Sequence, residues 1–217
     1  MPFSQPSFSA TGNPHKIDEI RAGLAPIGVE VVGLSDLPGK FEEPIEGKDS
    51  FVENATLKAT SYARQTGRVC LADDSGLEVD ALGGAPGVIS SHYATDGEET
   101  GLTREQRDSA NNARLLEDLE GVAPEDRTAR FVCTMVLAEA GGTVLATVRG
   151  AFEGRIGLPG EVPRGDNGFG YDPLVLMEPD FKRTGAELTP EEKNARSHRG
   201  MAARAMAIEI QKLMPAQ

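Results

Sequence analysis

Short apolar runs alternate along this chain with segments that carry helix-start signals, and this alternation constrains the fold more than any other feature. The runs at 69–72, 131–138, 143–149 and 174–177 predict strands. Strands interleaved with helices are typical of the α/β class. We therefore predict an α/β fold, with an elongated sheet flanked by helices.

Four segments carry helix-start signals. In the first, Asn13 is placed as the N-cap and Pro14 at the first helical position. The others start at Ser50, Thr103 and Thr189, each followed three residues later by Glu or Gln in the capping-box pattern. These signals predict four helices. The last helix has an apolar stripe formed by Ala202, Met206, Ile210 and Leu213.

Two connections between the predicted strands are informative. Residues 139–142 have the sequence Glu-Ala-Gly-Gly, which is typical of a hairpin turn. Part of the sheet should then be antiparallel, so we predict a mixed sheet rather than a fully parallel, doubly wound one. The connection 157–173 contains five Gly and three Pro, and loops of that length are usually functional or disordered.

The length of 217 residues predicts one domain, 1–217, with two lobes around a cleft. No apolar run approaches the roughly 20 residues that a membrane helix needs, and residues 1–10 lack the features of a signal peptide. We therefore expect a cytoplasmic protein with no membrane association. Cys70 and Cys133 lie in apolar runs, which favours buried thiols over a disulfide or a nucleophile.

The charge balance disfavours one class of partner. The formal net charge is −12, and a global negative field disfavours binding of nucleic acid. Positive charge is nevertheless concentrated in 181–212, where seven Lys or Arg stand against four Glu. This local excess indicates either a small anionic ligand or a solvated helix face.

The segment 11–16 has features of a phosphate site. If the helix starts as predicted, Lys16 lies in its first turn, where a cation opposes the helix dipole unless an anion intervenes. Free backbone N–H groups, a Gly-containing turn at Thr11, Gly12 and Asn13, and this lysine could together bind phosphate. The alternative is a capped helix with an exposed lysine.

Adjacent carboxylates follow the apolar run at 69–72. Asp73 and Asp74, followed by Ser75, could hold Mg²⁺, which prefers one or two protein carboxylates with waters and phosphates completing its shell. Adjacent strand residues point to opposite faces, so one Asp should face the cleft and the other should be structural. The alternative is a simple turn. A second acidic run, which a solvated loop would also explain, comprises Glu42, Glu43, Glu46, Asp49 and Glu53.

Two later segments could surround a nucleobase. Phe169 and Tyr171 alternate with glycines before Asp172, so a ring could stack on a base and the carboxylate could accept from base N–H groups. The alternative is a Gly/Pro turn with two core aromatics. Helical spacing turns His198 inward, and beside Lys193 and Arg199 it becomes a plausible wall of an anion pocket, although a core histidine is the common alternative.

Neither a P-loop nor a dinucleotide-binding Gly-x-Gly-x-x-Gly follows a strand in this chain. Five other motifs occur in order, and together they cover nearly the whole chain. They resemble the inosine-triphosphate (non-canonical purine NTP) pyrophosphatase family. The motifs are Thr11-Gly-Asn-x-x-Lys16, Phe51-Val-Glu-Asn-Ala-x-x-Lys58, Asp73-Asp-Ser-Gly-Leu-x-Val-Asp80, Gly168-Phe-Gly-Tyr-Asp-Pro173 and Glu192-Lys-Asn-x-x-Ser-His-Arg199.

The resemblance implies an elongated mixed sheet, two lobes with a deep cleft, a homodimer and a requirement for Mg²⁺. It implies hydrolysis of dITP, ITP, XTP and dXTP to the monophosphate and pyrophosphate, which cleanses the nucleotide pool. Glu46 and Asp74 would hold Mg²⁺, and Asp74 would also orient or deprotonate the attacking water. Substrate contacts would come from Thr11, Gly12, Asn13, Lys16, Ser75, Phe169, Gly170, Tyr171, Asp172, Lys193, His198 and Arg199.

Base selection is a separate hypothesis. A 6-keto purine presents an acceptor where adenine presents an amino group, so donors such as Arg199 or backbone N–H groups could favour hypoxanthine and xanthine. Three alternatives stay open at this point. The chain could be a related pyrophosphatase with a pyrimidine or other modified-base preference, a catalytically silent nucleotide-binding protein, or a metal-free anion-binding protein.

Overall fold

The computed structural model describes residues 7–9, 14–47 and 49–214. Within them, six strands form one sheet. The strands are β1 (Ser7–Ser9), β2 (Val31–Gly33), β3 (Cys70–Val79), β4 (Thr128–Ala138), β5 (Val144–Ile156) and β6 (Val175–Met177), in the spatial order β2-β1-β3-β4-β5-β6. The helices are α1 (Pro14–Leu24), α2 (Phe51–Thr66), α3 (Arg104–Asp118), α4 (Pro190–Arg196) and α5 (His198–Leu213).

The sheet is mixed, as predicted. β1 pairs in parallel with β2 and with β3, whereas β5 pairs antiparallel with β6. The predicted hairpin turn joins the neighbouring strands β4 and β5. The Glu139 N–H donates to the Thr143 carbonyl at 2.9 Å, and the Gly142 N–H donates to the Glu139 carbonyl at 2.7 Å. The α/β class and the mixed sheet are thus confirmed.

The chain divides into two compact units, neither of them continuous in sequence. The described residues of the first unit fall within 7–75, 133–151 and 197–214, and the second unit comprises 76–132 and 152–196. The predicted cleft between two lobes stays a prediction. None of the described helices is long and apolar enough to cross a membrane.

The core of the first unit has two layers that follow the strand period of two. Leu71 of β3 and Met135 of β4 pack with apolar residues of α1 and α5. Their chain neighbours Ala72 and Val136 pack instead with residues of α2. In this unit α2 therefore covers one face of β3 and β4, and α1 with α5 covers the other.

The second unit has its own apolar core. Leu115 and Leu119 at the end of α3 pack with Leu77 and Val79 of β3 and with Ile156 of β5. Residues of β4 and β6 complete the cluster, together with side chains of the long loop 157–173. This loop is thus fixed to a core at its apolar positions, which include Val162 and Tyr171.

The predicted helix starts are largely confirmed. Thr103 forms a capping box with Gln106, and Thr189 exchanges the same two hydrogen bonds with Glu192. The predicted N-cap Asn13 lies outside the described residues. The last predicted helix is in fact two, α4 and α5, because Ser197 adopts an extended conformation and its hydroxyl caps a new helix by accepting from the Gly200 N–H.

Candidate functional site

β3 positions the acidic pair. The strand was predicted to end before Asp73 and Asp74, but it continues through both to Val79. The turn interpretation of this segment is therefore wrong, and the reason is that Leu77 and Val79 have a core of their own to enter. Because the backbone stays extended, the two carboxylates point to opposite faces of the sheet, as predicted.

Asp73 lies on the face that packs against α1 and α5. Its Oδ2 accepts from Lys16 Nζ at 3.0 Å, from Ser75 Oγ at 2.8 Å and from Arg199 Nε at 3.3 Å. Arg199 also donates to Ser75 Oγ at 3.2 Å and to the carboxylate of Glu19. The two carboxylates and two cations of this cluster balance, and the cluster joins both helices to the strand.

The electrostatics of Asp73 are those of a structural anion. Burial acts to raise its pKa, but Lys16 and then Arg199 outweigh burial, so the pKa lies well below its ordinary value. The Asp73 side chain is wholly buried, while Lys16 is one-fifth exposed. Of the cations in this cluster, Lys16 is thus the one that a phosphate could reach.

The structure changes the interpretation of Arg199. We predicted that its guanidinium could donate to a 6-keto base. It is 2% exposed, and Nε, Nη1 and Nη2 each donate to a protein oxygen. Its contacts fix Asp73 and Ser75, so they lend no support to a direct role in base selection.

Asp74 lies on the face that packs against α2. Lys58 Nζ donates to its Oδ1 at 3.0 Å, and Asn54 Nδ2 donates to its Oδ2 at 3.2 Å. The spacing of four residues places both donors on one face of α2. Lys58 Nζ also donates to Glu46 Oε2 at 3.1 Å. Glu46, not Glu42 or Glu43, is therefore the acidic residue of its loop that reaches this cluster.

Asn54 also holds the loop that carries Glu46. Its Oδ1 accepts from the Gly47 N–H at 2.9 Å, and its Nδ2 donates to the Gly47 carbonyl at 3.1 Å. One buried amide thus binds the main chain next to Glu46 and the carboxylate of Asp74. This arrangement brings together the two carboxylates that were predicted to hold a metal ion.

The chemistry of this donor set suits a divalent cation. Two carboxylates face one ammonium, so the cluster of Glu46, Lys58 and Asp74 carries an excess negative charge. Burial raises the pKa of Asp74 despite the attraction of Lys58. Burial would lower the pKa of Lys58, but Asp74 and Glu46 raise it above its ordinary value. No group of three or more metal-binding side chains occurs among the described residues.

The structure describes only part of the predicted phosphate segment 11–16. Thr11, Gly12 and Asn13 lie outside the described residues. α1 begins at Pro14, so Lys16 is the third helical residue, as predicted. The anion that offsets this cation near the helix start is Asp73.

A second cluster lies in the second unit, around Phe169. Asp172 Oδ2 accepts from the Phe169 N–H at 2.8 Å and from Lys193 Nζ at 2.5 Å. Lys193 Nζ also lies 4.9 Å from the centre of the Phe169 ring. Asp172 was predicted to accept from base N–H groups, but this oxygen binds its own loop and Lys193. The carboxylate thus fixes the position of the ring.

The two aromatic residues of this loop have different environments. Tyr171 is buried, and its hydroxyl donates to the Ser90 carbonyl at 2.8 Å. Burial raises the pKa of this phenol above its ordinary value, and the side chain belongs to the core of the second unit. Phe169 is only half-buried and is the aromatic ring that a base could reach.

Two glycines of the loop allow a matched test. Gly168 and Gly170 have φ values of +81° and +62°, so alanine strains the backbone at either position. A Cβ at Gly168 would also collide with the carboxylate of Asp172, whereas a Cβ at Gly170 would meet nothing within 4 Å.

We expect Gly168→Ala to raise the KM for a nucleotide substrate by tenfold or more, because displacing Asp172 frees both Lys193 and the Phe169 main chain. Gly170→Ala should add only the strain of a left-handed residue, on the order of 1 kcal/mol, and should raise KM less than Gly168→Ala does, because no side chain is displaced. Steady-state kinetics and thermal melting of both variants check this. Equal KM values for the two variants would contradict it.

The remaining predicted residues are placed as follows. Ser75 lies within the Asp73 cluster. His198 is the first residue of α5 and is buried, as its helical spacing predicted. Both cysteines are free and buried, and burial raises the pKa of Cys133 to about 12, which excludes a ready nucleophile.

Sequence reasoning missed several residues of these clusters. Asn54 and Lys58 belong to one of the five motifs, but no role was predicted for them. Their spacing of four residues on an otherwise apolar helix face is a signal that could have identified them. Glu19 gave no signal. Around Phe169 the missed residues are Arg104, Asp108 and Asn112.

The profile of the Ham1 family matches residues 8–209. The chain belongs to the Ham1 family. Two relatives are both named dITP/XTP pyrophosphatase. The protein of an Exiguobacterium species is 50% identical over 201 residues, covering 93% of this chain and 94% of its own length. That of Nitratidesulfovibrio vulgaris is 47% identical over 197 residues, covering 90% of each chain.

Two solved structures have the same fold as this chain. The HAM1 protein of Coxiella burnetii is 37% identical, with a TM-score of 0.79, and the match covers 96% of this chain and all of that one. The nucleoside-triphosphatase, or dITP/XTP pyrophosphatase, of Mycobacterium abscessus is 40% identical, with a TM-score of 0.69 and 98% of this chain covered. Ham1 membership and the α/β fold are therefore established together.

Proposed function

We propose that this chain hydrolyses non-canonical purine nucleoside triphosphates, dITP, ITP, XTP and dXTP, to the monophosphate and pyrophosphate. It would thereby cleanse the nucleotide pool. The observation that carries the proposal is the cluster on the α2 face of β3, where Asp74 shares the ammonium of Lys58 with Glu46. Relatives that bear the name dITP/XTP pyrophosphatase, at 46–50% identity, support the reaction class.

Asp74 is the residue that we assign to the attacking water. Its two oxygens are held by Lys58 and Asn54, so the carboxylate is fixed in orientation. A carboxylate held in this way can orient a water and accept its proton.

We propose that Glu46 and Asp74 hold Mg²⁺. Both are hard oxygen ligands, and Mg²⁺ typically takes one or two protein carboxylates beside substrate phosphates. When bound, the ion polarises phosphate oxygens and offsets charge on the leaving pyrophosphate. Lys16, one-fifth exposed beside Asp73, adds positive charge for the phosphates.

We assign the base to Phe169. Its ring is half-buried and is fixed by the contacts of Asp172 and Lys193. With Arg199 bound to Asp73, backbone N–H groups remain as the donors for a 6-keto oxygen. Adenine would leave such donors facing an amino group, and the unpaired donors would disfavour ATP.

The wider assignments are also proposals. We propose that 1–217 acts as one catalytic domain with two lobes and that two copies form a homodimer. We place the protein in the cytoplasm, with the nucleoside triphosphate as its partner and no role in nucleic-acid binding or at membranes. The net charge of −12 supports the exclusion of nucleic acid.

The substrate class is tested by pyrophosphate release from dITP, XTP, dATP and dGTP, each with Mg²⁺ and with excess EDTA. We expect release from dITP and XTP that requires Mg²⁺, and at least 100-fold lower kcat/KM for dATP, because a site built to pair with a polar group rejects the analogue that lacks it. Equal turnover of dATP and dITP would overturn the base assignment.

The same panel separates the alternatives. Release confined to pyrimidine or other modified nucleotides would retain the fold and the chemistry but change the substrate. Nucleotide binding without product in any condition would identify a silent binding protein. The cluster of Glu46, Lys58 and Asp74 argues against that outcome, because binding alone does not need a carboxylate that can orient water.

A further inference from the structure

Helix α3 presents three polar residues at four-residue spacing to the loop that carries Phe169. The residues are Arg104, Asp108 and Asn112. This spacing places them on one face of the helix, and each contacts Phe169 or Gly170. We refer to these three residues as the loop-facing side of α3. All of them, and the residues they contact, lie in the second unit.

The loop-facing side binds both main-chain groups of Gly170. Asp108 Oδ2 accepts from the Gly170 N–H at 2.9 Å. Asn112 Nδ2 donates to the Gly170 carbonyl at 3.1 Å. Because Gly170 follows Phe169 directly, two hydrogen bonds from one rigid helix fix the main chain at the ring. A fixed main chain restricts where the Phe169 side chain can lie.

The same side also contacts the ring itself. The Arg104 guanidinium carbon lies 4.5 Å from the centre of the Phe169 ring, within the range of a cation–π interaction. A guanidinium is planar and stacks on aromatic faces, including those of nucleobases. Arg104 is exposed, so packing against a core does not force its guanidinium to lie over the ring.

Two of these residues are locally unfavourable for α3. Arg104 is the first helical residue after the N-cap Thr103, where a cation opposes the helix dipole. Asn112 has a buried Oδ1 with no hydrogen-bond partner among the described residues, and an unpaired buried acceptor is destabilising. Local conflicts of this kind are expected at functional sites rather than at purely structural ones.

We propose that the loop-facing side of α3 is the base-positioning element of the enzyme. Asp108 and Asn112 are positioning residues that hold Phe169 in place through Gly170. Arg104 is a specificity-determining residue that stacks with the base at the Phe169 ring. The proposal rests on the proposed function, in which Phe169 receives the purine, and it concerns binding of the base rather than the chemical step.

Binding of dIMP and of inorganic pyrophosphate, measured by calorimetry, tests the proposal without turnover. We expect Arg104→Gln and Asn112→Leu each to weaken dIMP binding by about three- to tenfold, the effect of losing one cation–π contact or one hydrogen bond. Pyrophosphate binding should not change, because pyrophosphate has no base. Arg114→Gln is the matched control, since Arg114 is on the same helix and lies over the ring of Tyr93 instead.

The melting temperature distinguishes base positioning from a purely structural role, because loss of a structural contact would lower it. Because Arg104 and Asn112 are locally unfavourable, Arg104→Gln and Asn112→Leu should leave the melting temperature unchanged or raise it. For dITP hydrolysis, KM should rise in parallel with the dIMP dissociation constant while kcat stays within about twofold. Asp108→Asn keeps an acceptor for the Gly170 N–H and should restore most of the affinity that Asp108→Ala loses.

Several results would overturn the proposal. One is unchanged dIMP affinity in both Arg104→Gln and Asn112→Leu, and another is an equal loss in Arg114→Gln. A fall in kcat that follows a fall in melting temperature would assign these residues a structural role instead. Failure of wild-type protein to bind dIMP would also refute it. If dIMP binding responds as expected but dITP is not hydrolysed, only the proposed reaction fails.

Discussion

Replacing Asp74 by Asn should reduce pyrophosphate release from dITP by about 10²- to 10⁴-fold, the usual contribution of a positioned general base. The side chain keeps its shape, and its one acceptor oxygen can still receive the Lys58 ammonium, so the loss would reflect mainly the missing proton acceptor and metal ligand. kcat should carry most of the change, because the water is activated only in the chemical step.

The fold of Asp74→Asn should remain intact. Burial raises the pKa of Asp74 above its ordinary value, so the ionised carboxylate is less favourable in the folded than in the unfolded chain. Removing this charge should therefore cost much less stability than Asp73→Asn, because Glu46 still pairs with Lys58. Glu43→Gln, an exposed carboxylate in the same loop as Glu46, is the control. Full activity of Asp74→Asn would refute the assignment.

Replacing Asp73 by Asn should have the opposite signature, a large loss of stability. Asp73 is wholly buried and is the common partner of Lys16, Ser75 and Arg199. Removing one partner of a buried ion pair typically costs about 3–5 kcal/mol, because the remaining charge is left uncompensated. Urea unfolding of wild type, Asp73→Asn and Asp74→Asn at pH 7 measures the difference.

The pH dependence of this loss has a defined sign. The pKa of Asp73 is lowered in the folded chain, so its carboxylate contributes stability above its unfolded pKa of about 3.9. This contribution is lost as pH falls through the folded value. The stability gap between wild type and Asp73→Asn should therefore be largest near neutrality and shrink below about pH 4. A gap that widens on acidification, or no gap at pH 7, would contradict the structural role.

Predictions that rest on local periodicity were the most successful. The period of two along a strand predicted that Asp73 and Asp74 would point to opposite faces of the sheet, and each carboxylate indeed meets a different set of helices. Cap signals predicted the starts of α2, α3 and α4. The predicted end of β3 was wrong because Ser75 and Gly76 are residue types that favour turns. The core that holds Leu77 and Val79 in the strand is built from distant segments, which no local pattern reveals.

Predictions that depend on long-range contacts could not be made from residue types alone. The resemblance assigned Lys16, Lys193 and Arg199 to one substrate. Residue types alone did not predict that Lys16 and Arg199 meet at Asp73 while Lys193 binds Asp172. The contact of α3 with Gly170 joins residues about 60 positions apart. No local pattern specifies such a pairing, because it depends on how α3 and the loop pack on a shared core.

The most direct test of the central claim is hydrolysis of dITP in ¹⁸O-labelled water with Mg²⁺, followed by mass spectrometry of the products. If Asp74 directs water to the α-phosphorus, the products are dIMP and pyrophosphate, with the ¹⁸O in dIMP and none in pyrophosphate. Label in pyrophosphate would place the attack on the β-phosphorus, and dIDP with orthophosphate would show cleavage of a different bond. Either of these results would contradict the account.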